Sequence, residues 1–251
     1  MSRGAALITG AAKRIGRALA LESAALGYDV AVHYRGSRSE AHDLVQEIRN
    51  LGRKAIGLAA DLSLDRDASA LLPRAAAALG PVTLLVNNAS LFLEDEIATV
   101  TRESWAAHLD ANLRAPVFLA QAFAAQQQAQ GLIVNVVDQR VWKPNPLFFS
   151  YTVSKAALWA ATRTLAQALA PRIRVNAIGP GPTLPSIHQA EGDFEAEARH
   201  TLLQRRATPD ELCATLRYFV DSPSVTGQMI AVDAGQHLTW RTPDLDPATP
   251  R

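Results

Sequence analysis

Hydrophobic positions along this chain fall into short, β-rich runs separated by longer Ala/Leu-rich stretches with helical spacing. The runs begin at Ala5-Ala6-Leu7-Ile8, Asp29-Val30-Ala31-Val32, Lys54-Ala55-Ile56-Gly57-Leu58 and Val82-Thr83-Leu84-Leu85-Val86. They resume at Leu132-Ile133-Val134-Asn135-Val136-Val137, Arg174-Val175-Asn176-Ala177-Ile178 and Met229-Ile230-Ala231-Val232. Helices are expected near 15–27, 39–51, 65–79, 101–128, 150–170 and 209–220. Seven strands, most separated by a helix, predict an α/β domain built on a mainly parallel sheet. Right-handed crossovers would place helices on both of its faces. With no internal repeat or linker, a single domain over 1–240 is expected, followed by a polar, Pro-rich and flexible tail over 241–251. Pro182, Pro185 and Gly192 break any regular pattern in 181–200. A connection that long reads as a substrate loop or lid, or else as an exposed, variable crossing.

The composition narrows the partners. The 251 residues carry a net charge of +1 with the charges interspersed, which speaks against a nucleic acid or an anionic membrane. Cys213 is the only cysteine, so no intramolecular disulfide or multi-cysteine metal site exists, and a buried structural thiol is its expected role. The six histidines lack metal-ligand spacing, and no catalytic metal is expected. No apolar stretch approaches the roughly 18 residues of a membrane span. The first apolar run, Ala5–Thr9, stops at Gly10 rather than extending into a secretory segment, leaving the cytoplasm as the expected location.

Thr9-Gly10-Ala11-Ala12-Lys13-Arg14-Ile15-Gly16 closes the first strand and opens a helix. Gly10 allows a tight turn and Gly16 close packing of helix on sheet, while the helix N-terminus offers N–H groups to a pyrophosphate. An NAD-reading fold would carry an acid at the end of the second strand, but here the chain reads His33-Tyr34-Arg35-Gly36-Ser37-Arg38. Lys13, Arg14, Arg35, Ser37 and Arg38 would instead suit a 2′-phosphate, so NADPH is the expected cofactor.

Tyr151 and Lys155 stand one helical turn apart and share a face. A neighbouring ammonium would lower the phenol's pKa and make it a proton donor, which implies a reductase. Asp138 lies thirteen residues before Tyr151, directly after an apolar strand, at the carboxyl end of the sheet where open α/β folds bind ligands. A carboxylate there only accepts hydrogen bonds and would repel a developing oxyanion, so it suits an NH-rich ring better than a carbonyl. The alternative is that Asp138 caps the next segment or pairs with Arg140. Phe92 is placed to stack on a flat ring or to serve in ordinary packing.

Taken together these residues resemble the short-chain dehydrogenase/reductase family over the chain to about Leu238. The resemblance implies a Rossmann fold and a set of roles. Asp61 and Leu62 would contact adenine. Asn87-Asn88-Ala89, with Ser90 where the family has glycine, would line the cofactor beside His33 and Tyr34. Asn112 would complete a proton relay through water and Lys155, and Lys155 would also hold the nicotinamide ribose. Pro180-Gly181 would cap the nicotinamide, with Thr183 on its carboxamide or diphosphate. Arg14 replaces the middle glycine of the usual loop, and this departure, with Ser90-Leu91-Phe92 and Asp138, is similar to the pteridine reductases and bacterial dihydromonapterin reductases. That subgroup implies a pterin site formed by Arg14, Ser90, Phe92, Asp138, Tyr151 and Leu184. Its substrate would be a pterin such as dihydrobiopterin, dihydromonapterin or dihydrofolate. Trp142, Phe148 and Phe149 are further candidates for the pocket wall, with core or subunit packing as the alternative. A homotetramer is the resemblance-based expectation. A reductase of carbonyls or 3-oxoacyl thioesters, and an NADPH-binding sensor, are the alternatives.

Overall fold

The computed structural model describes residues 3–126, 130–185 and 192–240. Seven strands form one parallel sheet: β1 (Ala5–Ile8), β2 (Asp29–Tyr34), β3 (Ala55–Ala59), β4 (Val82–Asn87), β5 (Gly131–Val136), β6 (Ile173–Pro180) and β7 (Met229–Val232). Their order is β3-β2-β1-β4-β5-β6-β7. The order reverses between β1 and β4, which opens a crevice at their carboxyl ends.

Along β1 every side chain is buried because both faces of the sheet are covered. Ala6 and Ile8 point to one core with α1 (Arg14–Ala25), α2 (Arg38–Asn50) and α8 (Pro209–Asp221). Ala5 and Leu7 point to the other, with α3 (Asp65–Leu79), α5 (Ala115–Ala125) and α6 (Phe149–Leu169). In α2 the buried residues are Ala41, Leu44, Val45 and Ile48, the i, i+3, i+4, i+7 stripe that lays one face on a sheet. Phe123 of α5 is fully enclosed, and truncating such a ring to alanine costs about 3–5 kcal/mol. Cys213 is buried in the first core, which pushes its thiol up to about 12 and makes it a packing residue.

Two departures from the sequence expectation bear on the site. The helix expected over 101–128 is interrupted: α4 (Arg102–Leu109) and α5 are joined by a π turn over Asp110–Arg114. Pro116 has no N–H to donate to the Asn112 carbonyl four residues earlier, so the regular ladder cannot pass this point. The segment 181–200 holds a short helix, α7 (Asp193–Arg199), preceded by Gly192 at φ 88. Gly192, read as a break, marks the start of α7 rather than its absence. The tail 241–251, the middle of the expected lid at 186–191 and the end of the expected helix at 127–128 lie outside the described residues.

Candidate active site

The nucleotide end of the crevice presents backbone, held in place by the side chains of Thr9 and Asn88. Thr9 closes β1, and its Oγ1 accepts hydrogen bonds from the N–H groups of Asn88 and Ala89, both at 2.9 Å. Asn88 returns its Nδ2 to the carbonyls of Thr9 (2.9 Å) and Gly10 (3.1 Å). These bonds staple β1 to β4 across the point where strand order reverses. Gly10 takes φ +62, which a side chain would oppose. At Gly16 an added Cβ would overlap the Gly10 carbonyl and lie 2.5 Å from Asn88 Nδ2. The turn therefore admits close backbone approach, and α1 begins at Arg14 with no side-chain cap on its free N–H groups. A cradle of bare backbone at an uncapped helix start fits a pyrophosphate.

His33 departs from its expected contact with a cofactor. It is buried, and its Nδ1 accepts from the Gly10 N–H at 3.0 Å, so its Nε2 carries the proton and donates to the Ala60 carbonyl at 3.2 Å. Burial pulls its pKa below the usual histidine value, in keeping with a neutral ring. His33 thus ties the ends of β1, β2 and β3 together from inside. The cationic residues do not converge: Lys13 pairs with Glu40 at 2.5 Å, while Arg14, at φ 56, donates to the carbonyls of Pro185 (2.6 Å) and Leu184 (3.1 Å). Arg35 and Arg38 stand exposed at the end of β2, with Tyr34 and Ser37 half-buried beside them. Asp61 accepts from the N–H (2.9 Å) and Oγ (2.7 Å) of Ser63, which hold its carboxyl below the usual range, and Leu62 beside it is buried. Ile15 is half-buried where α1 begins.

The second half of the crevice is organised by side chains. Asp138 follows β5 in extended conformation. Its Oδ1 accepts from the Arg140 N–H at 2.8 Å, capping a short 3₁₀ turn over Gln139–Val141, and its Oδ2 accepts from the Tyr151 hydroxyl at 2.8 Å. Arg140 Nη1 lies 3.9 Å from the same Oδ2. The cap and the arginine contact, weighed from sequence as an alternative to a catalytic carboxylate, therefore coexist with the tyrosine bond. Phe92 meets Tyr151 edge-on with centroids 4.7 Å apart and stacks on Phe148 at 4.3 Å. Lys155, enclosed beneath them, donates Nζ to the Val136 carbonyl at 2.8 Å and stands 5.8 Å from the Tyr151 ring centre.

These surroundings correct the expectation that Lys155 lowers the Tyr151 pKa. Burial raises the phenol well above its ordinary value, and the charge and hydrogen bond of Asp138 raise it further, while Arg140 opposes them. Lys155 is itself drawn down to about 8 by burial, against the pull of Asp138. The pair stores a proton on Tyr151, pointed at a carboxylate.

The start of α6 aims Tyr151. Phe148 enters at φ 60, and the N–H groups of Ser150 and Phe149 are taken by the Asp95 carboxylate (2.9 Å) and main-chain carbonyl (2.8 Å). Burial works to raise the Asp95 pKa, but hydrogen bonds from Ser150 and Ser104 hold it below the usual range. His108 joins the same unit: its Nε2 accepts from the Leu93 N–H at 3.2 Å, so Nδ1 donates to the Ser104 carbonyl at 2.8 Å. Asn112 has its side chain occupied by the Leu91 N–H (2.8 Å) and carbonyl (2.9 Å), by Ser90 Oγ (3.2 Å) and by Ser154 Oγ (3.0 Å). It fixes the loop bearing Phe92 and does not touch Lys155 with that amide. After β6, Gly181 packs so tightly that a Cβ would lie 2.6 Å from Asp233 Cα. Pro180 and Thr183 are buried there, Thr183 bonded to the Gly181 carbonyl at 3.0 Å, and Leu184 is half-buried. Asp95 and His108 were missed from sequence because neither belongs to a spaced motif.

A parallel sheet with a glycine-lined turn at its reversal point and a buried Tyr–Lys pair beside it defines an oxidoreductase of the dinucleotide-binding type. The short chain dehydrogenase family is matched over residues 4–196, and the chain belongs to that family. In solved structures the chain is similar to FolM Alternative dihydrofolate reductase 1 from Brucella suis in complex with NADP, with 48% identity, 97% of this chain and 98% of that chain covered, and a TM-score of 0.93. The corresponding protein from Brucella canis, also complexed with NADP, gives 48% identity over 97% and 98% of the two chains and a TM-score of 0.91. Among curated relatives, the 3-oxoacyl-[acyl-carrier-protein] reductase FabG of Staphylococcus epidermidis is 29% identical, covering 93% of this chain and 98% of its own. Among the described residues no cluster of His, Cys, Asp or Glu could hold a metal, and no helix is long and apolar enough to cross a membrane.

Proposed function

We propose that the chain is an NADPH-dependent reductase of a pterin-like ring, of dihydrobiopterin, dihydromonapterin or dihydrofolate type. The observation that carries this reading is the Tyr151 hydroxyl bonded to Asp138 Oδ2 at 2.8 Å, with the Phe92 ring 4.7 Å away. A carboxylate that accepts from a phenol can also accept from the N–H groups of a heterocycle, and Phe92 supplies an apolar wall for a flat ring. The likeness to the NADP-bound Brucella structures supports both cofactor and substrate class.

Gly10, Gly16, Asn88, Ala89 and the start of α1 would hold the pyrophosphate. Arg35, Ser37 and Arg38 at the end of β2 would serve the 2′-phosphate, and Asp61 with Leu62 the adenine. Pro180, Gly181 and Thr183 would border the nicotinamide. The cofactor, when bound, supplies the hydride. Tyr151 delivers the proton to the ring nitrogen, Asp138 orients both the phenol and the ring, and Lys155 anchors the ribose while balancing charge. Arg14, Ser90 and Leu184 complete the substrate pocket, and Asn112 keeps Ser90 and Phe92 in place. We further propose a cytoplasmic homotetramer, tested by light scattering of the purified protein.

The decisive experiment follows NADPH oxidation against dihydrobiopterin, dihydromonapterin, dihydrofolate, ketones and a 3-oxoacyl thioester. Pterin turnover that Asp138→Ser abolishes is expected. The FabG relatives favour the second reading, a 3-oxoacyl thioester reductase. Thioester turnover that survives or rises in Asp138→Ser, with none on pterins, would replace the first reading.

A further inference from the structure

Arg140 belongs to no motif of the nucleotide end, and its guanidinium sits inside the catalytic cluster. Its carbon lies 5.4 Å from the centre of the Phe92 ring, 5.3 Å from that of Phe148 and 5.9 Å from that of Tyr151. Nη1 is 3.9 Å from Asp138 Oδ2, the oxygen that also receives the Tyr151 hydroxyl. Arg140 and Asp138 side chains are each only 17% exposed, so water screens this contact weakly. The backbone holds the arrangement in place, because the Arg140 N–H is bonded to Asp138 Oδ1 at 2.8 Å.

We infer that Arg140 is a positioning residue of the reductive step: it balances the Asp138 carboxylate and leaves a permanent positive charge beside Tyr151 when the phenol gives up its proton. The inference rests on the proposed role of Tyr151 as proton donor, not on the identity of the ring that receives the proton.

Counting the protein's own charges, apart from the positive charge that hydride loss would leave on the cofactor, shows what a second cation does. Before the transfer, the cluster holds the Asp138 carboxylate, the neutral phenol and the ammonium and guanidinium groups of Lys155 and Arg140. When the Tyr151 O–H bond breaks and the proton joins the substrate nitrogen, a phenolate remains beside a carboxylate. Lys155 alone can offset only one of these two charges. Its ammonium is also engaged by the Val136 carbonyl at 2.8 Å and is drawn down to about 8. A guanidinium keeps its proton throughout the working range and spreads its charge over a plane suited to aromatic edges and faces. Among the described groups around Tyr151, His108 on α4 lies 6.5 Å away ring to ring and is committed to Leu93 and Ser104. Asp95 faces the Ser150 N–H rather than the phenol. Arg140 is therefore the cation placed to stabilise the product state of proton transfer.

The test combines a measurement free of substrate with a kinetic one. Thermal melts of the full chain are compared for wild type, R140Q, D138N and the double variant. If Arg140 balances Asp138, R140Q lowers Tm by about 2–4 °C in the wild-type background and by clearly less in the D138N background. Turnover is then measured on whichever substrate of the panel the wild type reduces. R140Q should lose kcat by roughly 10- to 100-fold, part of the range a general acid contributes, with KM changed little. Its solvent deuterium isotope effect should rise as proton transfer becomes limiting, and R140K should recover most of both. Additive melting shifts, or an R140Q enzyme with wild-type kcat and isotope effect, would overturn the inference. So would an R140K enzyme as impaired as R140Q, because charge would then not be what matters. A panel in which only carbonyl substrates react would refute the pterin reading and leave the Arg140 test intact.

Discussion

The two halves of the crevice are built in different ways. The nucleotide half presents main chain: the Thr9 and Asn88 side chains staple β1 to β4, Gly10 and Gly16 leave bare backbone between them, and the demand on the glycines is steric. The half proposed to be catalytic is assembled from side chains of three separate segments, the loop after β4, the turn after β5 and the start of α6. Its demands are electrostatic. Backbone cradles tolerate variation in everything except size and φ, so one nucleotide end can serve many reactions. Side-chain clusters tolerate variation in nothing that carries charge, so chemistry and substrate are decided in the other half.

This contrast breaks if the two halves fail to respond separately. The largest effect is expected for Tyr151→Phe, which removes the stored proton and should lower kcat by about 10²–10⁴-fold while NADPH binding, read by fluorescence, stays intact. Lost NADPH affinity in that variant would show the halves to be one unit. Next, Lys155 is an ammonium below its pKa of about 8 and neutral above it. The kcat/KM of the free enzyme should accordingly fall as pH rises through about 8, and a profile flat to much higher pH would remove Lys155 from the chemistry. Gly16→Ala should do the reverse of Tyr151→Phe. Its methyl overlaps the Gly10 carbonyl, so NADPH affinity and Tm should both drop, at a cost toward the upper end of the ~1–3 kcal/mol typical of overpacking. The smallest effect belongs to His33→Leu, which leaves the Gly10 N–H without its acceptor. A loss of about 1–2 kcal/mol in a denaturant melt is expected, with kcat near wild type at saturating NADPH.

The same contrast explains what could be read in advance. Glycine spacing after a strand states a steric requirement in one dimension, and strand order follows from alternating runs, so the sheet and the nucleotide turn were legible. Tyr151 and Lys155 were legible because a helix turns their spacing into adjacency. Arg140 was visible two residues from Asp138 as a pairing partner, yet its place among Phe92, Phe148 and Tyr151 depends on a 3₁₀ turn and a left-handed Phe148 that no pattern announces. The break at Asn112 had a signal in Pro116, four residues later, which the apolar residues on more than one face of the expected helix obscured. His33 was placed beside the cofactor by the resemblance alone, whereas its ring lies inside and satisfies the Gly10 N–H.

Asp95 has a wider consequence. By holding the first N–H groups of α6 from the loop that carries Phe92, it joins one wall of the proposed pocket to the proposed proton donor. In such an arrangement, selection cannot adjust substrate shape and turnover independently. A loop exchanged to admit a different ring also re-aims Tyr151, so mutational routes to new substrates pass through poorly active intermediates unless the change spares residue 95.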